Sequence, residues 1–203
     1  MRVKICGITR GEDLQAAVAA GADALGFVFA QGSPRLLDPQ RAAALVQQVP
    51  AFVSRVGLFL DQEAAEVRHV LGQVPLSLLQ FHGREEPAFC RQFGLPYIKA
   101  LGMASGPSLA DAERAYADAA ALLLDSHSTG AAGGTGQTFD WAAIPALSLP
   151  MVLAGGLDPE NVREAVRQVR PWAVDVSSGV EDAPGVKNVD KMRAFIREAN
   201  SEY

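Results

Sequence analysis

Short runs rich in Val, Leu, Ile and Phe recur along the chain, separated by longer stretches whose apolar residues fall at three- and four-residue spacing. The runs predict β-strands over residues 3–6, 24–29, 54–59, 77–82, 97–101, 121–125, 151–154 and 173–176. Between them the spacing predicts helices over 12–20, 39–48, 62–72, 85–93, 108–119, a short one near Trp141, and then 159–169 and 189–200. Several of these begin with proline or an acidic residue, as helix starts favour. The strand runs are almost continuously apolar instead of alternating, which marks strands buried on both faces, hence a parallel sheet covered by helices.

Eight strands alternating with eight helices predict a closed (β/α)8 TIM barrel in the α/β class, one domain over residues 1–203. At 203 residues the barrel is compact and leaves little room for an accessory domain. The competing fold, an open doubly wound sheet, needs a glycine fingerprint after its first strand. That strand is followed instead by Cys6-Gly7-Ile8-Thr9-Arg10-Gly11.

Composition then removes several classes of function. The longest apolar stretches fall far short of the roughly 20 residues that cross a bilayer, and MRVKICG has no secretory leader pattern. A cytoplasmic protein without a membrane partner is expected. The net charge of −5 supplies no basic stripe for nucleic acid, so an anionic ligand would have to rely on local backbone N–H groups and a few arginines. Two cysteines, Cys6 and Cys90, offer neither a disulfide framework nor ligand spacing, and three histidines make a metal site unexpected.

Candidate chemistry sits where strands give way to loops. Cys6 ends the first strand run and Asp125 the sixth, and barrel enzymes place their reactive groups at such carboxyl ends. A thiol and a carboxyl so placed suggest a base and an acid. Strand pleating puts Lys4 on the face of Cys6, Leu123 with Asp125, Gln80 with His82, and Ala173 with Asp175. A Lys4 cation one pleat deeper would favour the Cys6 thiolate, and closure of the barrel would let Lys4 pair with Asp175. Gly155-Gly156 follows the seventh strand and Ser177-Ser178-Gly179 the eighth, the loops from which barrels build phosphate sites. Residues 129–139, including Gly133, Gly134 and Gly136, read as a lid that would close over Asp125 and keep it from water. Cys90 reads as a buried helix residue and Lys99 as a buried structural lysine.

In chain order, the segments Lys4-Ile5-Cys6-Gly7-Ile8-Thr9, Gly26-Phe27-Val28-Phe29 with Ser33-Pro34-Arg35, Val56-Gly57-Leu58-Phe59, Leu79-Gln80-Phe81-His82-Gly83, Leu124-Asp125-Ser126 with Gly133-Gly134-Thr135-Gly136-Gln137-Thr138-Phe139-Asp140-Trp141, Leu153-Ala154-Gly155-Gly156-Leu157 and Val174-Asp175-Val176-Ser177-Ser178-Gly179-Val180-Glu181 span the chain. Together they resemble the phosphoribosylanthranilate isomerase family of tryptophan biosynthesis. The resemblance implies an Amadori rearrangement of N-(5-phosphoribosyl)anthranilate, with Asp125 as general acid, Cys6 as general base and no cofactor or metal. It places Arg35 at the anthranilate carboxylate, where a guanidinium fork engages two oxygens, and Asp175 near the ribose hydroxyls. Gln80 and His82 would line the sugar or ring pocket. The partner implied is the small phosphoribosylated substrate, and the assembly a monomer or a homodimer. Two alternatives stand beside this reading: the histidine-pathway barrel performing the same rearrangement, which expects aspartate where Cys6 stands, and a barrel that binds phosphosugars without catalysis.

Overall fold

A computed structural model describes residues 1–103, 108–126, 141 and 144–202. Eight parallel strands close a barrel in the order β1-β2-β3-β4-β5-β6-β7-β8. They are β1 (Arg2–Cys6), β2 (Ala24–Val28), β3 (Ser54–Phe59), β4 (Leu78–Phe81), β5 (Tyr97–Gly102), β6 (Ala121–Asp125), β7 (Met151–Leu153) and β8 (Ala173–Val176). Each lies within a residue or two of its expected span. Closure comes from β1 pairing with β8, with Lys4 in register with Asp175.

The helices follow from local chemistry. α1 (Gly11–Ala20) stops at Gly21, whose φ of 99° is left-handed backbone that glycine adopts without penalty. α2 (Pro39–Val46) starts with proline at its first position, and the Asp38 side chain accepts from Arg41 N at 3.0 Å. α3 (Ala64–Leu71) carries a reciprocal Glu63–Glu66 capping box. α4 (Pro87–Arg91), α5 (Leu109–Ala115), α6 (Val162–Val169) and α7 (Val189–Asn200) complete the set among the described residues.

Where helices are shorter than expected, side chains explain it. Residues 159–161 stay outside α6 because Asp158 Oδ1 accepts from the N–H groups of Glu160 and Asn161 at 2.8 and 2.9 Å, a turn that competes with helix. Glu85 stays outside α4 because its buried carboxylate accepts from Asp61 N and Gly83 N, both at 2.9 Å. Trp141 is in a 3₁₀ turn, and most of the helix expected around it lies outside the described residues. A hairpin of β9 (Glu181–Ala183) and β10 (Val186–Lys187), entered through a 3₁₀ turn at Ser178–Val180, was not anticipated.

Pleating sorts the strand residues into two populations. Ile98, Ala100, Ala121, Leu123, Val152, Ala154 and Ala173 pack with Leu78 inside the barrel. Phe27, Phe59 and Phe81 point outward and are fully buried beneath the helices, with Phe81 edge-on to Phe89 at 5.8 Å between ring centroids. Lys99 alternates with Ile98 and Ala100, so it also points outward. Its ammonium donates to Phe81 O at 3.3 Å, Gly83 O at 2.6 Å and Glu85 Oε2 at 2.8 Å. The lysine is thus structural, as its sequence context suggested.

Removing one member of a buried ion pair leaves the other charge without compensation, which costs about 3–5 kcal/mol. Lys99→Met is therefore expected to lower unfolding free energy by that order in a urea titration. A loss below about 1 kcal/mol, the size of an exposed pair, would contradict the account.

Candidate active site

A solvent-open cleft with room for about 100 Å³ lies at the carboxyl ends of the strands. Its walls include Cys6 from β1, Asp125 from β6, Arg35, Gln80, His82, Asp175 and Ser177. Val28, Ala30, Leu58 and Leu60 supply an apolar side that packs with Cys6. The two reactive groups thus share one cavity, as the pleat argument required. Gly26 makes room for the thiol: a Cβ there would stand 2.7 Å from Cys6 Sγ.

Directly beneath Cys6, Lys4 Nζ donates to Asp175 Oδ1 at 2.9 Å, and both side chains are buried. Asp175, assigned by resemblance to the ribose hydroxyls, is therefore also the structural partner of Lys4. Burial opposes charge on Lys4, but Asp175 and Cys6 outweigh it and hold the ammonium above its ordinary pKa. The same contact would by itself depress the Asp175 carboxyl, yet burial dominates and pushes it up. Cys6 is raised as well: burial is the largest influence, and the lowering by Lys4 only partly offsets it. This corrects the expectation of a thiolate held by Lys4. The cation acts in the expected direction but is outweighed by burial.

On the opposite wall Asp125 is 7% exposed, and His82 Nε2 lies 3.7 Å from its Oδ2. Burial lowers the His82 pKa more than Asp125 raises it, so the ring is neutral near pH 7. Gln80 Nε2 lies 3.2 Å from His82 Nδ1, and Gln80 Oε1 is buried with no hydrogen-bond partner among the described residues. Gln80 and His82 thus line the same cleft as Asp125.

Arg35 is at the cleft, but its side-on fork is engaged. Nε donates to Glu181 Oε1 at 2.8 Å and Nη2 to Glu181 Oε2 at 2.7 Å. Glu181 Oε1 also accepts from Lys187 Nζ at 2.7 Å. Glu181 appeared in the sequence only as the end of a motif, and Lys187 in none. They are the functional neighbourhood that sequence reasoning missed.

The two glycine loops meet beside the cleft. Gly155 and Gly156 have φ of 81° and 67°, and a Cβ on Gly179 would stand 2.0 Å from Leu157 O, so the loops touch backbone to backbone. Ser178 and Gly179 open the 3₁₀ turn, where N–H groups point out of the turn without partners within it. Ser177 is different: its hydroxyl donates to Cys6 O at 3.1 Å, which ties β8 to β1 and takes that donor away from an anion. Gly133, Gly134, Gly136 and the rest of the expected lid lie outside the described residues. Among the described residues no cluster has the make-up of a metal site, and no helix is long and apolar enough to cross a membrane. Cys90 is buried in α4, its thiol pushed up to about 12 by burial.

Comparison with known proteins bears directly on this cleft. The family model for N-(5'-phosphoribosyl)anthranilate isomerase matches residues 3–198. The chain belongs to this isomerase family. The Acidithiobacillus ferrooxidans protein named N-(5'-phosphoribosyl)anthranilate isomerase is 55% identical over 97% of this chain and 96% of its own. Among solved structures, the phosphoribosyl anthranilate isomerase from Thermus thermophilus superposes with a TM-score of 0.89 at 42% identity, covering both chains fully. Another, solved in complex with reduced 1-(o-carboxyphenylamino)-1-deoxyribulose 5-phosphate, superposes at 0.81 with 41% identity over 98% of each chain.

The raised Cys6 thiol is open to direct measurement. An ordinary cysteine is half ionised near pH 8.5. The difference in thiolate absorbance between the protein and Cys6→Ala is expected to stay small at that pH and grow only above it. Half-ionisation below about pH 8 would contradict the geometry-based direction.

Proposed function

We propose that this chain catalyses the Amadori rearrangement of N-(5-phosphoribosyl)anthranilate to 1-(2-carboxyphenylamino)-1-deoxyribulose 5-phosphate, with Asp125 as acid and Cys6 as base on one (β/α)8 unit spanning residues 1–203. The observation that carries it is the pairing of these two groups in a single cleft lined also by Arg35 and Ser177, with Gly155 packed against Ser126 next to Asp125.

The Asp125 proton goes to the ribose ring oxygen, which leaves C1 and becomes a hydroxyl, while the nitrogen lone pair forms the C1=N double bond. The product of this step is a cationic imine. Cys6, as thiolate, then takes the proton from C2, and those electrons neutralise the imine to give an enolamine. Ketonisation adds a proton at C1 and removes one from the C2 hydroxyl. Net transfer of a proton from Cys6 back to Asp125 resets the enzyme.

The raised thiol fits this order. Burial makes the thiolate costly, and a positive imine beside the sulfur favours the charged form. The thiolate is thus most readily formed once the ring is open. Gln80 Oε1 and Asp175 offer acceptors to the sugar hydroxyls, and Arg35 keeps its Nη1–Nη2 edge for the carboxylate while Glu181 holds the other edge. Backbone N–H groups of Gly155, Gly156, Ser178 and Gly179 receive the phosphate. The working unit is a monomer or homodimer in the cytoplasm, with the substrate as its partner and neither nucleic acid nor membrane involved.

Loss of anthranilate fluorescence from freshly formed substrate reads the reaction directly. Cys6→Ala and Asp125→Asn are each expected to lower kcat by about 10²–10⁴, the usual worth of one acid or base, and to leave product affinity largely intact. Arg35→Ala is expected to act mainly on KM. Wild-type kcat in either of the first two variants would overturn the assignment.

A further inference from the structure

The hairpin that the strand pattern did not reveal carries an unassigned feature: two cations share one carboxylate behind the cleft wall. Glu181 accepts from Arg35 through both oxygens and from Lys187 at 2.7 Å. Lys187 is further anchored by Ser177 O at 3.1 Å, and its own backbone N–H donates to Asp13 Oδ2 at 3.1 Å. Arg35, Glu181 and Lys187 are all at most 8% exposed.

Charge counting decides what the cluster can do. Arg35 with Glu181 alone is neutral, and a neutral pair has little attraction for a carboxylate. Burial lowers the Lys187 pKa and Glu181 partly offsets that; with Lys187 protonated, Arg35, Glu181 and Lys187 together carry one positive charge in a protein whose net charge of −5 repels anions. Lys4 cannot substitute, because Asp175 balances it.

We infer that Glu181 and Lys187 are positioning residues for carboxylate recognition: Glu181 clamps the Arg35 guanidinium so that its free edge faces the cleft, and Lys187 restores the positive charge that the clamp would otherwise cancel. Lys187 acts on the ligand without touching it. The inference rests on the reading of Arg35 as the carboxylate ligand and deepens it.

The test compares two probes by fluorescence titration: the reduced product analogue with its 2-carboxyl group, and the same molecule without it. The readout is the ratio of their Kd values. A unit charge several ångströms away at the effective dielectric of a protein site is worth at least about tenfold in binding. Lys187→Met is expected to erode the preference for the carboxylated probe by that factor, the other probe, which keeps its phosphate, being weakened less. The double variant Glu181→Gln/Lys187→Met keeps an amide oxygen to hold Arg35, again leaves one net positive charge, on Arg35, and is expected to recover most of the preference. If Lys187→Met does not fold, the comparison of Glu181→Gln with the double variant isolates the same lysine charge without stranding a carboxylate. There the single variant should favour the carboxylated probe more strongly.

Equal weakening of both probes by Lys187→Met, or a double variant that discriminates worse than the single, would reduce Lys187 to a structural role and overturn the inference. Arg35→Ala separates the two levels. If it erodes the preference while the Lys187 charge does not matter, only the inference fails; if it leaves the preference unchanged, the carboxylate is held elsewhere and the reading of Arg35 fails with it.

Discussion

The pairing of β1 with β8 is the constraint from which the site follows. It brings residues 4 and 175, at opposite ends of the chain, into register. A buried ammonium and a buried carboxylate then meet at 2.9 Å, each satisfying a charge that neither water nor the apolar lumen would. Because strand side chains repeat every second residue, whatever stands at position 6 projects into the mouth directly above this pair. That residue is a thiol. The same closure lets Ser177 donate to Cys6 O, so Cys6 and the loop after β8 are fastened across one seam.

Three buried ion-pair assemblies divide the work of the fold. Lys99 with Glu85 lies outside the barrel, where it secures the β4–α4 connection and stays clear of chemistry. Lys4 with Asp175 forms the floor of the cleft. Arg35 with Glu181 and Lys187 forms one wall and keeps a net positive charge. All are costly to bury, and an apolar replacement of matching shape would often be no less stable. For the two assemblies that border the cleft, their placement gives them a role that stability does not.

Much of this was legible in the sequence because the barrel is a regular object. Nearly continuous apolar runs located all eight strands, and period-two pleating put Lys4, Cys6, Gln80, Asp125 and Asp175 on the inner face. The Lys4–Asp175 pair followed from closure alone. What escaped was governed by context. The β9–β10 hairpin has strands of three and two residues, Glu-Asp-Ala and Val-Lys, with no apolar alternation to announce them. Glu181 and Lys187 therefore had no element to sit on. The Cys6 thiol escaped for a different reason: sequence shows that a cation is near, but the balance of desolvation against attraction depends on how completely the site is buried. Ser177 read as an anion donor until its hydroxyl was seen to serve the Cys6 carbonyl.

The central claim is that one sugar sits between a sulfur base and a carboxyl acid. A crystal structure of this protein with the reduced product analogue bound tests it most directly. The account predicts Cys6 Sγ against C2 and an Asp125 oxygen against the former ring oxygen, both within hydrogen-bond reach, with the phosphate on the Gly155-Gly156 and Ser178-Gly179 loops. A bound analogue whose C2 and ring-derived oxygen both lie out of reach of these groups would contradict it.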